Sequence, residues 1–277
     1  MECSVEASGL KVLDLRNDAA FSARKLHTRD MSVQMAGLQR LCRAMVETPE
    51  TILQELVNAA VDLCGADSAG ISVEKDDRTD TEFYHWIATS GDYSGFLNAI
   101  LPREPSACGL CLERGHAQHF TVSQQFFDIL GVEAPLVTDG ILLPWKSEDT
   151  RGTIFVMAHG RTEAFDESDA QLMTVLADFA AMGYRQQKQQ ARIIAQERAT
   201  AAAQMANRLA HQINNPLQSM TNVAFLIANG SPDCDATALG QEMSRSIARL
   251  SGLVEELLAL PLDGAQDGRP SDYSSGR

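Results

Sequence analysis

Gly152-Thr153-Ile154-Phe155-Val156-Met157-Ala158 is an apolar run rich in β-branched and aromatic residues, and it reads as a strand. Gly140-Ile141-Leu142-Leu143-Pro144-Trp145 reads as another just before it. Further upstream, Ala69, Ile71 and Val73 alternate with Gly70, Ser72 and Glu74, the period of two expected of a strand. The charged Lys75-Asp76-Asp77-Arg78 then reads as a hairpin tip before Phe83-Tyr84-His85-Trp86-Ile87, which gives two antiparallel strands. A Pro/Gly-rich segment, Leu101 to Gly115, separates the two strand pairs and reads as an irregular insert.

Helical spacing flanks the strands. Met35, Leu38, Leu41, Cys42 and Met45 form one series, and Ile52, Leu53, Leu56, Val57, Ala60 and Leu63 form a second, with Thr48-Pro49 as its start signal. After the strands, Phe165-Asp166-Glu167-Ser168-Asp169 places acids where a helix N-terminus favours them. Residues 1–30 carry no period or motif and are expected to form a weakly ordered segment.

The chain has 277 residues, 44% of them hydrophobic and 22% charged, enough to bury a sizeable core. Its net charge of −14 argues against nucleic acid or an anionic membrane surface as a partner. No apolar run approaches the ~20 residues of a membrane span, and Met1-Glu2-Cys3-Ser4 is unlike a secretory signal, so a cytoplasmic location is expected. Six scattered cysteines fit reduced thiols rather than a disulfide framework.

From Gly183 to Pro216 the chain has no glycine or proline and is rich in Ala, Gln and Arg, which predicts a continuous helix out of the first domain. Residues 186–230 are the one basic stretch, four basic against one acidic residue. That pattern suits a solvated helix face or a docking surface for an acidic partner. Met205, Leu209, Ile213, Leu217, Met220, Val223 and Ile227 step by three and four, and so do Leu239, Met243, Ile247, Leu250, Val254, Leu257 and Leu258. Asn229-Gly230-Ser231-Pro232-Asp233 turns between them. A lone hairpin would leave these stripes wet, so a homodimer paired as a four-helix bundle is expected. At about 100° per residue, His211 lies near 200° from Leu209 and Ile213, facing solvent. Pro216 should bend the helix one turn later.

His211-Gln212-Ile213-Asn214-Asn215-Pro216-Leu217 resembles the H-box of two-component sensor histidine kinases. Residues 201–261 resemble their dimerisation and phosphoacceptor hairpin. The resemblance implies that His211 is the phosphoacceptor, that Gln212 stands where an acid usually takes the proton, and that Asn215 helps orient water for dephosphorylation. An amide is no proton acceptor, so Gln212 weakens autophosphorylation. After Pro261 only a Gly/Asp/Ser-rich tail, 262–277, follows, without a nucleotide motif. The kinase ATP-binding domain is therefore expected on a separate chain, with a response regulator receiver domain as the other partner.

Residues 31–185 resemble a GAF sensory domain, through the order of elements, Pro105-Ser106-Ala107-Cys108-Gly109 and the 152–159 run. The implied fold class is α+β: an antiparallel sheet covered by helices, joined through a helical linker at 186–200 to the hairpin. The family implies an unidentified small ligand between sheet and insert, lined by residues 101–145, with Cys108 and Trp145 among its contacts. Cys108, Cys111, His116 and His119 offer zinc ligands within twelve residues, but His119 falls on a strand; no metal is expected, and no cofactor beyond that ligand. A redox dithiol, a chromophore-bearing thiol and buried structural cysteines remain alternatives.

Two-component signalling is thus the function expected, with His211 passing phosphoryl to a response regulator or helping to dephosphorylate one. A non-enzymatic ligand-binding and dimerisation module that regulates a partner kinase is the alternative. A thiol enzyme using Cys108 and Cys111 is a third reading.

Overall fold

The computed structural model describes residues 8–75, 83–229 and 235–258. Two compact units divide the chain, Met1–Arg192 and Ile193–Arg277. The division falls within the stretch read as a linker.

In the first unit the strands are β1 (Leu10–Asp14), β2 (Ser68–Glu74), β3 (Tyr84–Gly91), β4 (Ile100–Leu101), β5 (Gln118–Val122), β6 (Val137–Ser147) and β7 (Thr150–Ala158). They form one sheet in the order β1-β5-β6-β7-β2-β3-β4, with every neighbouring pair antiparallel. The period of two in β6 and β7 gives each face its own core. Ile141, Leu143, Ile154 and Val156 pack with helices α2 (Met31–Glu47) and α3 (Ile52–Cys64) and with Met173 and Leu176 of α6 (Glu167–Ala228). Leu142, Phe155 and Met157 point the other way, toward α4 (Ala107–Arg114) and α5 (Gln124–Leu130). The result is a GAF-like curled antiparallel sheet with helices, continued by a long helix.

Several local expectations are corrected. Residues 10–22 are not a weakly ordered lead-in: β1 is the edge strand against β5, and a short α1 (Ala19–Ser22) sets Phe21 into the core at 3% exposure. Asp18 accepts the Phe21 N–H and caps that turn. Thr48-Pro49 ends α2 rather than starting α3, because the Thr48 N–H closes the last turn on Ala44, and α3 begins at Ile52. The segment 101–115 is not irregular throughout: Ser106 accepts the Gly109 N–H and starts α4, so Cys108 and Cys111 lie one turn apart on a helix. The expected hairpin tip at 76–82 and turn at 230–234 lie outside the described residues, as do Met1-Glu2-Cys3-Ser4 and the tail 262–277.

In the second unit, the part of α6 from Ile193 packs against α7 (Ala236–Leu258), and Pro216 sits inside α6 without ending it. Pro216, Val223, Ser246 and Leu253 are buried, and the Ser219 hydroxyl donates to Glu242 Oε1 at 2.9 Å. Within one chain the two apolar stripes leave part of their surface exposed. On α7 the buried positions are Ser246 and Leu253, each one residue before the stripe positions Ile247 and Val254, which stay 49% and 52% exposed. A pair of helices covers only one edge of a stripe this wide. No described helix is long and apolar enough to cross a membrane.

Candidate functional site

Between the sheet and the α4–α5 side lies a cavity of about 400 Å³. Phe155, Met157 and Leu142 form its floor, Trp86, Tyr93 and Phe96 one wall, and Phe120, Phe126 and Phe127 another. Two glycines make room for the floor and wall. A Cβ on Gly70 would lie 2.4 Å from Phe155 Cζ, and one on Gly140 2.5 Å from Phe120 Cε1. Gly70 pairs with Phe155 and Gly140 with Phe120 across the sheet, so each ring lies over a bare backbone.

Residues 101–142 supply part of the lining, including Leu101, Ser106 and Cys108. The aromatic wall at 86–96 and the Phe155–Met157 floor were missed by the sequence reading, although the β7 alternation carries the signal. Trp145 is not at the cavity. It shares parity with Ile141 and Leu143, packs in the helix-side core and meets the Tyr184 ring at 5.1 Å.

Cys108 is buried where Ser72 and Thr153, paired across β2 and β7, bring hydroxyls to 3.6 and 3.2 Å of its Sγ. Burial pushes its thiol pKa up despite those hydrogen bonds. Burial likewise raises that of Cys111, whose Sγ lies 3.5 Å from the His116 carbonyl. Protonated thiols are poor nucleophiles and poor metal ligands, which speaks against a thiol enzyme. The four residues with zinc spacing do not gather either. His116 Nε2 lies 2.7 Å from Asp14, and His119 is held between Asp18 at 3.2 Å and Asp139 at 2.7 Å.

His27, Asp166 and Asp169 are the one metal-like group among the described residues. Their acids are already engaged. Arg29 holds both oxygens of Asp169 at 3.0 and 3.1 Å, and Asp166 accepts the Ser168 and Asp169 N–H groups at the start of α6. This is an ion-pair latch between the N-terminal arm and α6. His85 meets Asn98, and His159 meets Ser68 and the Leu136 carbonyl, so both have structural partners.

His211 is exposed on α6, as is Asn215 one turn later; Gln212 is half-buried. Positions i and i+4 are about 40° apart on a helix, so His211 and Asn215 share a face while Gln212 is turned about 100° away. Pro216, the next residue, is buried.

Residues 46–183 match the GAF domain family. No curated protein matches the chain. Among solved structures, the chain is similar to the second GAF domain of DevS from Mycobacterium smegmatis, at 20% identity over 52% of this chain and 99% of that one, with a TM-score of 0.41. It is similar to the GAF domain of an Acinetobacter phosphoenolpyruvate-protein phosphotransferase, at 14% identity over 56% and 95%, with a TM-score of 0.44. The phycoerythrobilin-bound GAF domain of a cyanobacterial phytochrome matches at 14% identity over 58% and 99%, with a TM-score of 0.43.

Proposed function

We propose that residues 46–183, which are a GAF domain, sense a small molecule in the apolar cavity and bias a phosphoacceptor hairpin centred on His211. GAF domains are sensory ligand-binding modules of signalling proteins. The observation that carries the sensory half is the preformed, ring-walled cavity. Its lining is tied to the start of α6: Val137 lines the cavity, and Asp139, two residues along β6, accepts the Phe165 N–H at 3.1 Å just before that helix. A ligand that shifts β6 therefore acts on the end of α6, which continues without interruption to His211.

The phosphotransfer half is supported by an exposed His211 with Asn215 on its face. In this reading a ring nitrogen of His211 attacks the γ-phosphorus of ATP held by a separate kinase ATP-binding domain, the bond from that phosphorus to the β,γ-bridging oxygen breaks and ADP leaves with the electron pair. A receiver aspartate oxygen then attacks phosphorus, the N–P bond breaks with its electron pair returning to that nitrogen, and the ring, carrying a proton on its other nitrogen, leaves neutral. Gln212 supplies no base, so transfer to or dephosphorylation of a response regulator is favoured over autophosphorylation. The partners in this reading are a second copy of the chain, the receiver domain and the kinase domain.

The test mixes the protein with phosphorylated receiver domains and follows phosphoryl on both partners. The reading expects transfer or accelerated loss that vanishes in His211→Ala. No His211-dependent change with any receiver would overturn it. Gln212 also favours a second reading, a non-catalytic dimerisation module that regulates a partner kinase, and normal signalling in cells by His211→Ala would select it.

A further inference from the structure

We infer that the ligand of the cavity is an uncharged, hydrophobic molecule of two to three rings, and that anions such as cyclic nucleotides are excluded; this rests on the reading of the cavity as the sensory site. Among the described residues, the lining contains no Lys, Arg, His, Asp or Glu. Its polar side-chain groups are few, and apart from the buried Trp86 Nε1–H, which has no hydrogen-bond partner among the described residues, they are committed. Tyr93 OH donates to the Pro135 carbonyl at 2.7 Å, Ser106 Oγ accepts the Gly109 N–H at 3.3 Å, and Cys108 Sγ takes the Thr153 hydroxyl at 3.2 Å. Ser106 also caps the N-terminus of α4, whose first residues, Ser106 to Cys108, reach the cavity, so that end does not stand free for a phosphate.

Anion entry would strip water from a full charge and return no counter-ion and at most the single neutral Trp86 N–H, a cost that apolar contact does not offset. Apolar ligand entry loses nothing of that kind and gains contact with a wall of aromatic rings. Size follows from volume. An apolar cavity of about 150 Å³ takes a benzene, so about 400 Å³ accommodates roughly two to three rings. Ile100 and Ile129, 43% and 48% exposed, stand at the lining's outer edge and give such a molecule an apolar entrance.

A matched pair of fluorescent probes tests the charge rule on the full chain. N-phenyl-1-naphthylamine is neutral, and 1-anilinonaphthalene-8-sulfonate is the same ring system with a sulfonate. Ala99→Trp, which fills the lining at a half-buried loop position, identifies cavity binding, and circular dichroism checks its fold. The neutral probe should bind at one per chain and lose at least about tenfold in affinity in Ala99→Trp. The sulfonate should bind at least about 100-fold more weakly, or only at sites that Ala99→Trp leaves unchanged. A sulfonate that binds as tightly as the neutral probe and is blocked by Ala99→Trp overturns the charge rule but keeps the cavity as a ligand site. Neutral-probe binding that is absent, or indifferent to a folded Ala99→Trp, removes the sensory reading of the cavity together with this inference.

Discussion

Arg24 grips both carboxylate oxygens of Asp139, at 2.8 and 3.1 Å, across 115 residues of sequence. The guanidinium also donates to the Phe165 carbonyl at 2.7 Å, while Asp139 accepts the Phe165 N–H, so the N-terminal arm, β6 and the residue before α6 share one buried polar knot. His119 closes it on the other carboxylate side. Arg24→Ala leaves Asp139 with His119 and one N–H but without its full-charge partner. Truncating one member of a buried pair costs about 3–5 kcal/mol, and the remaining hydrogen bonds put this variant at about 3 kcal/mol. Urea unfolding should show the loss, and proteolysis should cut first in the freed arm. An unchanged midpoint would mean that the knot is not a stabilising feature.

The same knot sets a pH dependence. Burial pushes the Asp139 carboxyl up, but hydrogen bonds and charge from His119 and Arg24 outweigh it and hold it below the usual range. Asp18 follows suit through the Phe21 N–H and His119, and Asp14, through His116 and Arg16, comes down to about 2. A carboxylate depressed in the folded state stabilises above its unfolded pKa of about 3.9 and loses that contribution as pH falls through its folded value. Asp169 runs the other way: burial raises it, so its contribution is present at low pH and is lost as pH rises. Melting temperature should therefore fall below about pH 4. Asp139→Asn should be less stable at pH 6, with its gap to the parent narrowing toward pH 2.5. A gap that stays constant would detach Asp139 from the acid transition.

Gly70 lies under the Phe155 ring, which meets the Trp86 ring at a centroid distance of 4.9 Å. Gly70→Ala forces that ring off the sheet, an overpacking expected to cost about 1–3 kcal/mol. Because the displaced ring belongs to the cavity floor, Trp86 emission should shift and affinity for a neutral naphthyl probe should drop. Unaltered emission and affinity would mean that the floor tolerates the methyl.

The strands of the sheet were legible because β2 alternates Ala69, Ile71 and Val73 with Gly70, Ser72 and Glu74 while β6 and β7 carry apolar runs rich in β-branched and aromatic residues, and the element order was enough to suggest the family. The arm at 10–29 was not legible. Its order comes from contacts distant in sequence, Arg24 with Asp139 and Phe165, Arg29 with Asp169 and the Cys64 carbonyl, and Phe21 with the His119 ring, and no local period announces such contacts. Trp145 was misplaced for a simpler reason. Its segment was assigned to the pocket as a whole, whereas strand parity sends Leu142 to the cavity and Trp145 to the opposite core. In the hairpin, periodicity located the apolar stripes but not which edge of each the partner helix covers.

Thiol chemistry should separate the described cysteines by burial. Cys42 is exposed and should react with a disulfide reagent within the mixing phase, whereas Cys64, Cys108 and Cys111 are buried with thiol pKa values pushed up by desolvation. Peptide mapping after a timed alkylation at pH 8 should find these three labelled at least about 100-fold more slowly, at the rate of opening. Rapid labelling of Cys108 in the native protein would reopen its candidacy as a reactive group.

The hairpin offers the sharpest test of assembly. Ile247 and Val254 lie seven residues, about two turns, apart on α7, 49% and 52% exposed, on the edge of the stripe that α6 leaves uncovered. Paired hairpins would bury both, and each large aliphatic side chain taken fully from water contributes about 1.5–3 kcal/mol. Two glutamates there would face each other across a two-fold axis, so Ile247→Glu with Val254→Glu should turn a dimer into a monomer while helix content by circular dichroism is kept. Sedimentation equilibrium over a hundredfold concentration range reads the outcome directly. A parent chain that stays monomeric throughout refutes the four-helix pairing, and a double variant that stays dimeric places the contact somewhere other than this face.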